Sequence, residues 1–213
     1  MGSDPSGSDP TRRPLAVAIT GGIGAGKSTA LESFRRHGAA TVSSDEIVHH
    51  LLATDPEVKR ALVESLGAEI LGEDGAPDRE RIAFRVFRDR EALDPLEKLL
   101  HPLVSREYMT WREQLAELPN PPRVCVTEVP LLYEVGAETR FDKVVVITAP
   151  TKLREARRGR SDDREARLIG DREKVKRADF SYVNTGTPDE LDTWVAGVMA
   201  TLTTEDASEP AAE

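Results

Sequence analysis

The sequence predicts an α/β protein in which a parallel β-sheet is covered by helices on both sides. Four short apolar runs, partly β-branched, alternate along the chain with segments of helical periodicity. Strands that alternate with helices form parallel sheets, and a strand buried on both faces is apolar throughout. The stretch 45–118 breaks this alternation, because it contains only helical segments separated by glycines and prolines. It predicts a helical subdomain inserted into the sheet.

Local composition predicts each element. LAVAIT at Leu15–Thr20 is apolar and is followed at once by glycines, as expected of a buried first strand. Runs of the same type predict strands at Ala40–Ser43, Arg123–Thr127 and Lys143–Thr148, and a weaker pattern lies at Tyr182–Asn184. Helices are predicted at Ser28–His37, which Gly38 closes, and at Glu190–Leu202, where apolar residues recur at helical spacing.

Composition and charge argue against several classes of protein. No apolar run approaches the roughly 20 residues of a membrane-spanning helix, so we expect no membrane segment. The formal net charge of -9 argues against a nucleic-acid binder, because phosphates demand a basic surface. Cys125 is the single cysteine and forms neither an internal disulfide nor a thiolate zinc site, so we expect a reducing cytoplasm.

The two ends of the chain differ from the middle. Residues 1–13 and 203–213 are polar and lack the apolar residues that would repay the entropy of ordering, so we expect disordered tails. Residues 14–202 are expected to form a single domain in a monomeric chain.

The strongest motif is the phosphate loop, GGIGAGKS at Gly21–Ser28, which fits the pattern G-x-x-x-x-G-K-[ST] between a strand and a helix. Its glycines let backbone N–H groups turn toward phosphate oxygens, at the positive end of the following helix. Lys27 would place its charge on the transferred phosphate of ATP, and Ser28 would offer a hydroxyl to Mg2+. The alternative is a glycine-rich turn without a function.

Two acidic residues follow strands at the carboxyl edge of the predicted sheet, where ligands of such sheets bind. Asp45 comes just after the second strand and is a candidate base for a substrate hydroxyl; alternatively, it caps a helix starting at Glu46. Glu128 ends the third strand and is a candidate to hold magnesium through water; alternatively, it bonds nearby backbone amides.

Six segments together resemble the dephospho-coenzyme A kinase family, in order, from Leu15 to Leu202. They are AVAITGGIGAGKST, VSSDEI, DRERIAFRVF, LLHPLV, EVPLLYE and ADFSYVNTGTPDEL. The resemblance implies a P-loop kinase that transfers the γ-phosphate of ATP to the ribose 3'-hydroxyl of dephospho-coenzyme A. It also implies a core at 14–44, 119–150 and 180–202, an acceptor-binding insert at about 45–118 and a short lid at about 151–179.

The resemblance also implies roles for individual residues. On the nucleotide side they are Gly21, Gly22, Gly24, Ala25, Gly26, Lys27, Ser28, Thr29 and Asn184. On the acceptor side they are Asp45 as the base, Arg79, His101, Leu131, Leu132 and Glu134. This chain departs from the family at Ser43 and Ser44, where an Asp-Ala pair is usual. For His101 the alternative is a helix-terminal histidine packed before Pro102.

A basic cluster follows the fourth strand, where nucleotide kinases carry a lid whose arginines clamp phosphates. Its members are Lys152, Arg154, Arg157, Arg158, Arg160, Arg164 and Arg167. We assign the catalytic role to Arg157. Because acidic residues are interleaved, the alternative for most of the cluster is a mixed-charge helix in water.

Two other functions remain open from the sequence. A different small-molecule or nucleotide kinase of the same fold would share the phosphate loop and the base. A nucleotide-binding switch would bind ATP or GTP without an acceptor, but the sequence has no N-K-x-D for guanine.

Overall fold

A computed structural model describes residues 13–88, 93–158 and 168–206. The strands are β1 (Leu15–Thr20), β2 (Ala40–Ser43), β3 (Val124–Glu128), β4 (Lys143–Thr148) and β5 (Phe180–Val183). The helices are α1 (Lys27–Arg36), α2 (Ser44–Thr54), α3 (Pro56–Leu66), α4 (Arg79–Arg88), α5 (Leu93–Ala116), α6 (Thr151–Arg158), α7 (Asp171–Lys176) and α8 (Pro188–Asp206). None of the described helices combines the length and apolar character needed to cross a bilayer.

The chain divides into two compact units. The sheet unit contains the described residues up to Ser43 and from Trp111 onward, and the helical unit is Ser44–Thr110. The boundaries lie close to those predicted for the insert, 45–118, but α5 crosses the second one, because its residues from Trp111 to Ala116 belong to the sheet unit.

The sheet unit is built on five parallel strands in the order β2-β3-β1-β4-β5, which confirms the predicted α/β class. β1 lies at the centre, and the side chains from Ala16 to Ile19 are fully buried. Because all five strands run in the same direction, they all end at one edge of the sheet. The segments that leave this edge are the phosphate loop after β1, the start of α2 after β2, and the connections that follow β3, β4 and β5.

Helices α1 and α8 contact each other, and their apolar residues join those of the strands in one hydrophobic core. Polar contacts also join the two helices: the Asp192 carboxylate on α8 accepts a 2.5 Å hydrogen bond from the Ser33 hydroxyl and a 2.7 Å hydrogen bond from Arg36, both on α1. His37 lies 3.2 Å from the same carboxylate. These bonds, from Ser33 first and then Arg36, lower the pKa of Asp192 to about 2.

The helical unit consists of α2, α3, a 3₁₀ turn at Ala68–Ile70, α4 and α5 up to Thr110. Two of its helices begin at an aspartate cap. The Asp55 carboxylate accepts hydrogen bonds from the backbone N–H groups of Glu57 and Val58, and Pro56 occupies the first position of α3. Asp78 caps α4 in the same way, because its carboxylate accepts from the backbone N–H groups that follow Arg79. Within the described residues this unit contains no β-strand beyond the isolated bridge between Leu71 and Pro77.

Several element boundaries differ from the sequence predictions. Strands β3 and β5 begin and end one or two residues away from the predicted positions, whereas β1, β2 and β4 have the predicted bounds. Arg13, predicted to lie in a disordered tail, forms an ion pair with Asp142 at 2.8 Å. Helix α8 continues to Asp206, four residues into the predicted C-terminal tail. The rest of both predicted tails, 1–12 and 207–213, lies outside the described residues.

Candidate active site

The phosphate loop joins the central strand β1 to α1. Gly24 and Gly26 have φ angles of 77° and 100°, which glycine adopts without the strain that a side chain brings. The Ala25 N–H donates to the Gly22 carbonyl at 3.2 Å and closes a tight turn inside the loop. Helix α1 begins at Lys27, one residue before the predicted start, so the N–H groups that open the helix lie at the loop itself. The loop therefore has the backbone geometry of an anion-binding site.

Lys27 folds back into the loop. Its Nζ donates to the Gly22 carbonyl at 3.1 Å and lies 3.9 Å from Oε1 of Glu128, and the residue is only 8% exposed. A cation held in this way is already in place for a phosphate, which would take over the bonds that the carbonyl and the carboxylate now make.

Ser28 and Glu128 bring two oxygen ligands together. The exposed Ser28 donates its hydroxyl to Oε2 of Glu128 at 3.3 Å, so the strand-end carboxylate faces the loop's side chains. A hydroxyl beside a carboxylate is the donor set that Mg2+ uses when phosphates and water complete its shell. No cluster of three or more His, Cys, Asp or Glu among the described residues would hold a metal by itself. The two residues therefore fit Mg2+ only as a partial shell, completed by a nucleotide.

Asn184 and Arg157 bind the outside of the phosphate loop. The buried Asn184 donates from Nδ2 to the Ala25 carbonyl at 2.8 Å. The Arg157 guanidinium donates to the carbonyls of Gly24 and Ala25 at 3.4 Å and to that of Asn184 at 3.2 Å. A Cβ on Gly26 would lie 2.3 Å from Asn184 Nδ2, so glycine is required there for this close packing. Two side chains thus hold the carbonyls of Gly24 and Ala25 in place.

Arg154 and Asp171 flank the first turn of the loop. Arg154 is 7% exposed, and its Nη2 lies 3.6 Å from Oδ2 of Asp171 and 3.3 Å from Oγ1 of Thr151. A Cβ on Gly22 would lie 2.1 Å from Nη1 of Arg154 and 3.4 Å from Oδ1 of Asp171. The Arg154 guanidinium therefore rests directly on Gly22.

The segment after β3 differs from what the resemblance implied. Leu132 is fully buried, so it offers no surface to an acceptor, while Leu131 is partly buried. Oε1 of Glu134 forms an ion pair with Nζ of Lys174 at 2.8 Å and accepts a hydrogen bond from the Ile169 N–H at 3.0 Å, and its Oε2 is buried. Leu132 therefore presents no surface to an acceptor, and Glu134 is engaged by Lys174 and the Ile169 N–H.

The other residues predicted for the acceptor side lie in the helical unit. Asp45 is exposed in the first turn of α2, which begins at Ser44, so it is not the cap of a helix starting at Glu46. Arg79 is the first residue of α4, and its side chain lies outside the described part of the structure. His101 lies inside α5 rather than at a helix end, and Pro102 continues the helix.

The predicted lid is described only in part. Lys152, Arg154 and Arg157 lie on α6, and Asp171 opens α7, whereas Arg160, Arg164 and Arg167 lie outside the described residues. Sequence reasoning included Arg154 only as one cation of a cluster and missed Asp171 and Lys174. Their alternation with opposite charges is typical of a solvated helix, and the sequence offered no signal of burial.

Comparison with known proteins supports a single family. The sequence model of dephospho-CoA kinase matches residues 15–189. A dephospho-CoA kinase of Protochlamydia amoebophila is 37% identical over 183 residues, covering 82% of this chain and 90% of that protein. A dephospho-CoA kinase of Leptospira interrogans is 34% identical over 203 residues, covering 92% of this chain and 96% of that protein.

Solved structures agree with these relatives. The crystal structure of a Thermus thermophilus protein superposes with a TM-score of 0.68 at 32% identity, over 90% of this chain and 99% of that one. A dephospho-CoA kinase from Campylobacter jejuni superposes with a TM-score of 0.66 at 25% identity, over 90% of this chain and 98% of that one.

Proposed function

Because the chain belongs to the dephospho-CoA kinase family, we propose that it transfers the γ-phosphate of ATP to the ribose 3'-hydroxyl of dephospho-coenzyme A. The products are coenzyme A and ADP. One observation supports this most directly: the phosphate loop already holds Lys27, Ser28 and Glu128 together at the edge where the strands end.

The loop's own residues account for binding of the triphosphate. Backbone N–H groups at the start of α1 donate to phosphate oxygens, and Lys27 places an ammonium beside the group being transferred. Phosphoryl transfer needs little covalent help from a protein, so positioning and charge stabilisation supply most of the rate. Preformed donors cost no reorganisation during the reaction.

Ser28 and Glu128 would hold Mg2+, Ser28 through its hydroxyl and Glu128 through an intervening water. When bound, the ion neutralises charge on the β- and γ-phosphates. The 3.3 Å separation of the hydroxyl and carboxylate oxygens supports this pairing.

Arg157 acts by positioning the loop, in contrast to the phosphate clamp expected of a lid arginine. Its bonds to the carbonyls of Gly24 and Ala25, together with the bond from Asn184, keep those peptide groups oriented. The N–H groups of the loop are thereby left for the nucleotide, and we place Asn184 on the same nucleotide side.

The acceptor residues belong to the helical unit. Asp45 is the base that takes the proton of the 3'-hydroxyl, and Arg79 and His101 bind the acceptor, as the resemblance to the family implies. The exposed position of Asp45 in the first turn of α2, directly after β2, supports this role. Cys125 is free and buried, which suits a reaction in the reducing cytoplasm.

A substrate comparison tests the reaction. Release of ADP is followed with Mg2+ and ATP in the presence of dephospho-coenzyme A, adenosine, AMP or no acceptor, and the product mass is checked for one added phosphate. Turnover that requires dephospho-coenzyme A is expected. Turnover with another acceptor would replace the substrate, and acceptor-independent hydrolysis would refute the proposal.

Asp45→Asn tests the base. We expect kcat to fall by about 10²–10⁴-fold, the usual contribution of a general base, while the Kd of ATP stays unchanged. Glu46→Gln, at the adjacent exposed carboxylate, is the matched control and should retain activity. Equal losses of turnover and ATP affinity in Asp45→Asn would show that the residue supports the fold instead.

A further inference from the structure

We infer that Glu134 and Lys174 form a buried positioning pair that holds Arg154 against the phosphate loop, and that neither residue touches the acceptor. The inference rests on the proposed kinase function and concerns its ATP side. It replaces the acceptor-binding role that the family resemblance implied for Glu134.

The two side chains are enclosed by protein. The Lys174 side chain is 1% exposed and that of Glu134 is 14% exposed, and Nζ and Oε1 are 2.8 Å apart. Oε1 also accepts the Ile169 N–H, and the other carboxylate oxygen, Oε2, is buried. The carboxylate is therefore engaged through Oε1 by the Lys174 ammonium and the Ile169 N–H, inside the protein.

A buried ion pair is weak evidence for stability, because desolvation offsets the attraction. The pair nevertheless constrains the geometry, because separating the two side chains would leave a buried charge without its partner, at a large cost in free energy. Here the pair joins two segments that are far apart in the sequence: Glu134 follows β3, while Ile169 and Lys174 belong to the stretch that enters and forms α7. The pair therefore fixes where α7 lies beside the sheet.

Helix α7 links the pair to the phosphate loop through Asp171 and Arg154. Asp171 lies one turn before Lys174 on the same short helix, and its carboxylate faces the Arg154 guanidinium at 3.6 Å. Arg154 in turn lies so close to Gly22 that a Cβ there would be 2.1 Å from Nη1. Lys27 binds the Gly22 carbonyl at 3.1 Å, so both cations converge on one residue of the loop.

A double-mutant cycle tests the inference. Glu134→Gln, Lys174→Met and the double variant are assayed for KM of ATP, KM of dephospho-coenzyme A, ATP Kd by titration calorimetry and thermal unfolding. Lys176→Met is the matched control, because Lys176 lies on the same helix in an exposed ion pair with Glu173 at 3.6 Å. Asp171→Asn tests the intermediate contact.

Both single variants are expected to raise the Kd and KM of ATP by about tenfold and to leave the KM of dephospho-coenzyme A within about twofold. The double variant should raise them no further, because the two residues act as one unit. It should also recover most of the lost Tm, because no buried charge remains unpaired. Asp171→Asn should reproduce the ATP defect without the loss of Tm.

Three results would overturn the inference. An increase in the KM of dephospho-coenzyme A in Glu134→Gln but not in Lys174→Met would show direct acceptor contact. A loss of Tm with unchanged ATP affinity in both single variants would reduce the pair to a structural role. An equal loss of ATP affinity in Lys176→Met would show that the effect does not depend on the Glu134–Lys174 pair. Because ATP affinity is measured without an acceptor, a wild-type chain that failed to phosphorylate dephospho-coenzyme A would refute the proposed function and leave this test intact.

Discussion

Gly21 makes the closest backbone approach in the phosphate loop. It has a φ of 144°, and a Cβ at this position would lie 1.9 Å from the Ile147 carbonyl oxygen on β4. Because the contact is with backbone, neither a rotamer change nor the movement of a flexible side chain relieves it. Gly21→Ala would therefore force β1 and β4 apart where the two strands are hydrogen-bonded.

Two costs add in this variant. A non-glycine residue at a strained φ costs about 1–3 kcal/mol, and overpacking of a tight interior costs about 1–3 kcal/mol more. Gly38 separates the two costs, because its φ is 91° but no described atom lies within 4 Å of a built Cβ. We expect Gly38→Ala to lose only the backbone part and Gly21→Ala to lose about 1–3 kcal/mol beyond it.

Urea unfolding of the two variants measures this difference in the free energy of unfolding. Titration with ATP at low urea concentration measures the effect on nucleotide binding by the loop. Gly21→Ala should lower the urea midpoint of unfolding further than Gly38→Ala and should weaken the binding of ATP. Gly38→Ala should bind ATP as tightly as the wild type does. Equal stability losses in the two variants would refute the reasoning, because the close approach to Ile147 would then carry no cost.

Three further predictions follow from contacts described above. Gly22→Ala should weaken ATP severalfold with little loss of Tm, because its Cβ would displace the Arg154 side chain and no positive φ is involved. Asp192→Asn should flatten the acid loss of stability: the Ser33 hydrogen bond lowers the pKa of Asp192 to about 2, so its contribution is present above about pH 4 and is lost as the pH falls toward 2. The Cys125 thiol, whose pKa burial raises to about 11, should react with Ellman's reagent at pH 8 at least about a hundredfold more slowly in the folded than in the unfolded chain.

Each of these has a control or a contrary result. For Gly22→Ala, a loss of Tm as large as that of Gly21→Ala would show that the backbone, not Arg154, requires the glycine. For Asp192→Asn, urea midpoints between pH 4.5 and 2.5 are compared with those of Asp189→Asn, at an exposed acid of the same helix; parallel curves would contradict the prediction. Rapid modification of Cys125 in the native state would show that β3 opens readily.

Most of the sheet was predictable because β1, β3 and β4 are apolar and buried on both faces. The runs at β1, β2 and β4 end where glycine or polar residues begin, so their bounds followed from composition. β5 is an edge strand whose residues alternate between partly buried and exposed, and its short pattern was placed two residues too late. The other edge strand, β2, is partly buried at every position and was predicted with the right bounds, so the alternation in β5, and not its edge position alone, explains the shift.

The phosphate loop was also predictable, because the residues that define it are consecutive in the sequence. The contacts around it were not, since they join residues far apart in sequence whose types are ordinary for a solvated helix. Lys174 is the clearest example: in the sequence DREKVK it has the composition of a surface turn, yet it is fully buried beside Glu134. Resemblance to a family implied an acceptor contact for Glu134, whereas the structure shows its ion pair with Lys174, which the sequence did not indicate.

The strand order has a consequence for how the chain folds during synthesis. β1 and β2 are successive strands, but they do not pair, because β3 lies between them. The ribosome delivers β3 only after the helical unit, whose contacts are more local and can form first. A chain interrupted before Val124 carries every residue of the phosphate loop but lacks β3, whose Glu128 contacts Lys27 and Ser28, so we expect it to bind nucleotide only after β3 has been made.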